Sequence, residues 1–119
     1  MSRRDALTRL RDMLDYAREA AAMVQGRRRQ DLDANRMLNL ALVRLVEVVG
    51  EAAANVPGEI RSKYSEIEWP EIIGLRNRLI HRYSQVDFDV LWGILADDLP
   101  PLIRALERII PQEEQNPAP

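Results

Sequence analysis

Between Met37 and Val56 the chain carries Met37, Leu38, Leu40, Ala41, Leu42, Val43, Leu45, Val46, Val48, Val49, Ala52, Ala53 and Val56. Wound as an α-helix, this set occupies more than one face. A helix that is apolar on two sides has to be covered on both. The segment is therefore expected at the centre of a helical bundle or shared with a second molecule, which makes it the first candidate for a dimer contact. Its flanks supply the cover. Leu7, Leu10, Met13, Leu14, Ala17, Ala21 and Val24 recur at three- and four-residue spacing and mark an amphipathic first helix. Gly26 and the run Arg27-Arg28-Arg29 interrupt it, and Asp31 or Asp33 is placed to cap the second helix. That helix runs to about Asn55, where Val56-Pro57-Gly58 stops it.

A loop follows, and Trp69-Pro70-Glu71 opens a third helix, with proline at a position that needs no amide. This helix carries Ile72, Ile73, Leu79 and Ile80 on one side. Asp87 caps a final helix running from Phe88 to Ile110, in which Pro100-Pro101 imposes a kink or a break with restart. No internal repeat and no useful strand-like alternation is present. The expectation is an all-α, up-and-down bundle of four to five helices, a single domain over residues 1–110, with a frayed tail at 111–119. A chain of 119 residues, 46% of them hydrophobic, supports one core and not two.

Composition closes off several chemistries. Cysteine is absent, which excludes disulfides, thiolate metal sites and cysteine nucleophiles and fits a reducing, cytoplasmic setting. One histidine and unspaced carboxylates disfavour a resident metal, no glycine-rich phosphate loop is present, and no cofactor is implied. No apolar run approaches the roughly 20 residues needed to span a bilayer. A net charge of −2 gives no general case for nucleic-acid binding, so any such binding must be local. Two local clusters exist: Arg27-Arg28-Arg29, most simply a solvated turn, and Arg76, Arg78, His81 and Arg82.

The second cluster is anomalous. Arg76 falls four residues after Ile72 and three before Leu79, which predicts that it sits on the apolar face of the third helix. A guanidinium stays charged, so it must reach a cleft, an anionic ligand, or a carboxylate such as Glu47 or Glu51. His81 follows five residues later, a turn of roughly 140° along an unbroken helix. The two converge only if the helix loosens near Ile80 or a second subunit completes the site. Cleaving a phosphodiester needs a proton-transfer group near neutral pKa and a fixed cation, which histidine and arginine supply.

Arg76-Asn77, three residues, His81, one residue, Tyr83 resembles the R-x-x-x-x-H-x-Y motif of HEPN-domain toxins of the HepT type. The flanks resemble that family too: Val49-Gly50-Glu51-Ala52-Ala53, the Trp69-Pro70-Glu71 lead-in, and Val86-Asp87 with Trp92. The resemblance spans about residues 5–110. It implies an all-α bundle that forms a homodimer or a higher oligomer, and metal-independent cleavage of RNA. It further implies a partner, a minimal nucleotidyltransferase antitoxin of the MntA type. Carried over by position, Arg76 stabilises the phosphorane, His81 is the general acid or base, and Asn77 orients the site. Tyr83 matches the tyrosine to which the antitoxin adds AMP. Glu51 matches a recurring residue, with pairing to Arg76 the expected role, and Arg78 and Arg82 are expected to contact RNA. The other reading of the same residues is a non-catalytic helical module that holds nucleotide or nucleic acid for a nucleotidyltransferase.

Overall fold

The computed structural model describes residues 3–80 and 85–115, which form helices and no named strand. Helix α1 (Arg3–Val24) buries Leu10, Met13, Leu14 and Ala17 as the spacing predicts, but at its two ends Ala6 and Ala20 are buried while Leu7, Ala21 and Val24 are only partly covered. It ends ahead of Gly26, whose φ of 76° is a left-handed conformation that glycine adopts without a Cβ penalty. A helical turn, α2 (Asp31–Ala34), precedes the central helix α3 (Arg36–Ala54).

The expected aspartate cap on the central helix is corrected. Asn35, in an extended conformation, caps it, its Oδ1 accepting the Leu38 amide at 3.0 Å. Asp31 instead accepts the amide of Arg28 at 2.7 Å and closes the preceding turn. Asn39, buried one turn into α3, donates to the Leu32 carbonyl at 2.9 Å and accepts from Arg36 at 2.9 Å, so its burial leaves no orphaned dipole.

α3 lies at the centre, packed against α1 and also against the segment that carries the motif. Its buried residues include Leu38, Leu42, Leu45, Val46, Val49 and Ala53. Met37 and Leu40 remain outside, 83% and 51% exposed.

The segment read as a loop after α3 contains a short helix, α4 (Gly58–Lys63). The lead-in then behaves as expected, with Pro70 in the first turn of α5 (Trp69–Ile73) and the buried Trp69 donating its indole N–H to the Tyr64 carbonyl at 3.0 Å. The single third helix does not. Gly74, at φ −83° and ψ 5°, divides it into α5 and α6 (Leu75–Leu79). A Cβ at Gly74 would stand 3.1 Å from the Pro70 carbonyl oxygen, so the bend depends on a residue without one. Gly50 has the same function between helices: a Cβ there would stand 3.1 Å from the Ile72 carbonyl oxygen of α5 and 3.7 Å from Leu75 Cβ of α6.

Asp87 caps α7 (Phe88–Gly93) as expected, accepting the amides of Asp89 and Val90 at 2.9 and 3.1 Å. Residues Ile94–Asp98 form a π-helical turn, after which α8 (Leu99–Gln115) restarts and packs along α1. Pro100 and Pro101, which cannot donate to the ladder, follow the π-helical turn directly at the start of α8. The expected break is therefore present, immediately before the prolines. The expected frayed tail is corrected over residues 111–115. α8 passes through Pro111 to Gln115 because Glu113, 4% exposed, accepts the Tyr64 hydroxyl at 2.5 Å and the Lys63 ammonium at 3.1 Å. That clasp ties the end of the chain to the corner after α4.

Candidate functional site

The bend at Gly74 decides which motif side chains face solvent. In α6 the buried positions are Leu75 and Leu79, one helical turn apart, which leaves Arg76, Asn77 and Arg78 outside. The expectation that Arg76 lies on the apolar face is thus corrected. An unbroken helix from Trp69 would have kept Ile72, Ile73, Arg76 and Leu79 in one register, and the turn at Gly74 rephases the residues after it. The side chain of Arg76 is 65% exposed, with Nε 3.4 Å from Glu47 Oε2 on α3. The pair orients the guanidinium without sealing it, since the remaining nitrogens stay available.

Glu51 is not the partner of Arg76. One turn beyond Glu47 on α3, it pairs with Arg44 at 3.2 Å. Arg78 is committed elsewhere as well: Nη1 lies 2.9 Å from Asp98 Oδ2 in the π-helical turn and 3.8 Å from Glu71 Oε2. The Asp98 oxygen is buried and has no aligned hydrogen-bond donor, so charge holds this pair. The role expected for Arg78, contact with RNA, would require it to leave two carboxylates. Glu71 belongs to the Trp69-Pro70-Glu71 lead-in and Asp98 to no motif, and only the fold brings the two to Arg78.

Helical geometry ends at Leu79. Ile80 is extended (φ −85°, ψ 117°) and half-exposed, not packed with Leu79 as the sequence suggested. It forms an antiparallel bridge with Val86, and the Asp87 amide donates to the Leu79 carbonyl at 2.9 Å. The backbone loosening needed near Ile80 is present, and the two chain ends that bracket residues 81–85 are fastened to each other. His81, Arg82 and Tyr83 lie outside the described residues.

Next to Arg78 is a concavity of about 200 Å³, with Glu66, Glu68, Glu71 and Asp98 around an apolar floor of Ile67, Ile72, Pro101 and Leu102. Four carboxylates against one guanidinium repel a polyanion, so this hollow is separate in character from the open face that carries Arg76. Among the described residues, no group of three or more His, Cys, Asp or Glu side chains is placed to hold a metal ion. Among the described residues, no helix is long and apolar enough to cross a membrane.

On the far side of the bracket, the α1–α2 turn reaches α7. Arg29 Nε lies 2.7 Å from Asp89 Oδ1, and its Nη1 lies 2.8 Å from Asp33 Oδ2. The hydrogen bond to Asp89, followed by that to Asp33, raises the Arg29 pKa and keeps it cationic. The sequence offered no signal for this bridge beyond the charge run.

The family model described as "Ribonuclease HepT-like" matches residues 13–109. A Methanocaldococcus jannaschii protein named "Putative RNase MJ1380" is 33% identical, the match covering 90% of this chain and 98% of that protein. A Thermococcus cleftensis protein named "Probable ribonuclease HepT" is 31% identical over 83% of this chain and 94% of its own length. No solved structure matches.

Proposed function

The chain belongs to the ribonuclease HepT-like family, and from that premise we propose that it is a toxin-type, metal-independent endoribonuclease acting in the cytoplasm and centred on Arg76 and His81. The observation that carries this reading is the solvent-open Arg76 guanidinium, braced by Glu47, on the helix that leads directly into the Ile80–Val86 bracket. His81 follows Ile80 in the chain.

RNA supplies its own nucleophile. His81 takes the proton of the 2′-hydroxyl as that oxygen attacks the adjacent phosphorus, the phosphorus–O5′ bond breaks, and an imidazolium returns a proton to the departing 5′ oxygen. Arg76 neutralises the charge that builds on the non-bridging oxygens, and Asn77, exposed beside it, orients the phosphate. Two proton transfers in a chain with a single histidine favour a two-fold assembly in which each protomer contributes one His81. The surface for that assembly is the outer face of α3. Met37, Leu40, Arg44, Glu47 and Glu51 follow one another at three- and four-residue steps, so a second copy laid along them covers the exposed apolar pair and reaches the Arg76 brace.

Tyr83 is the residue through which a nucleotidyltransferase antitoxin neutralises the toxin. An AMP group there adds negative charge and bulk beside the phosphate site, repelling and occluding RNA. Arg82 adds a cation on the same segment.

Cleavage of RNA by the purified protein in a chelator tests the reading. His81→Ala is expected to lower the rate by about 10²- to 10⁴-fold and Arg76→Ala by about 10²- to 10³-fold, with oligomeric state unchanged. Full activity in either variant rejects the assignment, and a protein that binds RNA without cutting it would instead be the non-catalytic module. Mass spectrometry of the protein co-expressed with a minimal nucleotidyltransferase of the MntA type locates the adenylyl group on Tyr83 or removes it from the scheme.

A further inference from the structure

The run Arg27-Arg28-Arg29 is not three equivalent surface charges. Arg29 spans α2 and α7 through Asp33 and Asp89 and is structural. Its two neighbours differ. Arg27 and Arg28 are exposed and have no ion pair among the described residues, although four aspartates lie close in the fold. Those aspartates are engaged: Asp31 accepts the Arg28 amide, Asp33 and Asp89 hold Arg29, and Asp87 caps α7.

The turn itself is fixed. Gly26 sets its left-handed entry, the Arg28 amide is bonded to Asp31, and the Arg29 guanidinium is pinned from both sides. Its anchor on α7, Asp89, stands two residues after Asp87, whose amide bonds the last residue of α6. A solvating charge run needs none of this. Two guanidiniums with no ion pair among the described residues, on a turn clamped to the helix that begins just after the Ile80–Val86 bridge, form an electrostatic ledge on that side of the fold.

We infer that Arg27 and Arg28 bind the phosphate backbone of single-stranded RNA flanking the scissile bond, an inference that rests on the ribonuclease reading. The ledge contributes affinity and position but no chemistry, because it reads phosphates and not bases.

The test is the double variant Arg27→Ala/Arg28→Ala, with Arg29 kept so that the turn stays clamped. Binding of a fluorescent single-stranded oligoribonucleotide of mixed sequence is followed by anisotropy across a salt series, with cleavage measured in parallel and fold checked by circular dichroism. Two exposed ion pairs correspond to a rise in Kd of about two- to thirtyfold. The slope of log affinity against log salt should become shallower by roughly 1.4, from about 0.7 per phosphate contact on a single strand. KM rises with Kd while the rate at saturating RNA is unchanged.

An unaltered Kd and salt slope in a folded double variant overturn the assignment while wild-type cleavage keeps the ribonuclease reading intact. Wild-type protein that binds RNA with the expected slope change but never cuts leaves the ledge standing and removes the enzyme. Wild-type protein that does not bind RNA overturns both.

Discussion

Gly50→Ala sets two effects of known size against each other. In an isolated helix the change is favourable by about 1 kcal/mol, because alanine loses less backbone entropy and shields the helix better. At Gly50 the new Cβ would stand 3.1 Å from the Ile72 carbonyl oxygen, 3.6 Å from that of Ile73 and 3.7 Å from Leu75 Cβ. The nearest two neighbours are backbone atoms and cannot rotate aside, so α5 must withdraw from α3 by a few tenths of an ångström. Overpacking of this kind costs about 1–3 kcal/mol. Contact dispersion along the interface is lost in addition. The clash outweighs propensity, and the net expectation is destabilisation of up to about 2 kcal/mol, with Gly50→Val worse. At about 3–5 °C per kcal/mol for a domain of this size, the melting temperature falls by up to about 10 °C.

Gly93 is the control. It is helical and a Cβ there meets nothing within 4 Å, so Gly93→Ala should raise stability by about 0.4–1 kcal/mol. Calorimetry of the three variants beside wild type decides the matter. A rise in melting temperature for Gly50→Ala comparable to that for Gly93→Ala would mean that α3 and α5 are not in contact at Gly50. The reasoning that places Arg76 against Glu47 would fall with it.

Truncation after Ile110, or Glu113→Ala, removes the acceptor of the buried Tyr64 hydroxyl and of Lys63, and should cost about 1–3 kcal/mol in a urea melt; an unchanged midpoint would show that residues 111–115 contribute nothing. In the same clasp the Lys63 pKa is raised, chiefly by its hydrogen bond to Glu113, and that of Tyr64 is raised by burial and then by Glu113. Both groups are favoured in their protonated forms by folding, so their contribution is complete below the unfolded values of 10.0 and 10.5 and is lost as pH climbs through the higher folded values. Thermal stability should therefore decline above about pH 10, less steeply in Tyr64→Phe, and a slope unaffected by that substitution contradicts the account. Asn35→Ala should cost about 1 kcal/mol by uncapping α3, and a loss below 0.3 kcal/mol would assign the start of that helix to packing instead.

The helices were legible wherever one periodic apolar set decides the outcome. α1, the two-sided α3, the Asp87 cap and the restart at Pro100-Pro101 all follow from spacing and from the lost proline donors. Gly74 was the point of failure. A single glycine inside a helical pattern is compatible with continuation. The absence of a Cβ at Gly74 facing Pro70 is local, but it acts together with the approach of α5 to Gly50, a contact between residues more than 20 positions apart. The same limit applies at the chain end, where Gln112-Glu113-Glu114-Gln115 reads as a polar tail until Tyr64 and Lys63 are placed beside Glu113.

The motif arginines illustrate the difference between identifying residues by pattern and assigning their work. Arg76 and Arg78 are two positions apart on one short helix and point about 200° apart around its axis. One therefore meets α3 and the other meets the π-helical turn before α8. Arg76 has one carboxylate at 3.4 Å and a largely open side chain, whereas Arg78 is held between Asp98 and Glu71 at the edge of an acidic hollow. Recruiting Arg78 to a phosphate would break the Asp98 contact and leave a buried carboxylate oxygen uncompensated. Recruiting Arg76 exposes only Glu47, which already reaches solvent. Of the two, the arginine able to serve an anionic transition state at low reorganisation cost is Arg76. Replacing Arg78 with alanine should accordingly lower thermal stability before it lowers turnover, while Arg76→Ala does the reverse. The opposite ordering in paired melting and cleavage measurements would transfer the phosphate role to Arg78.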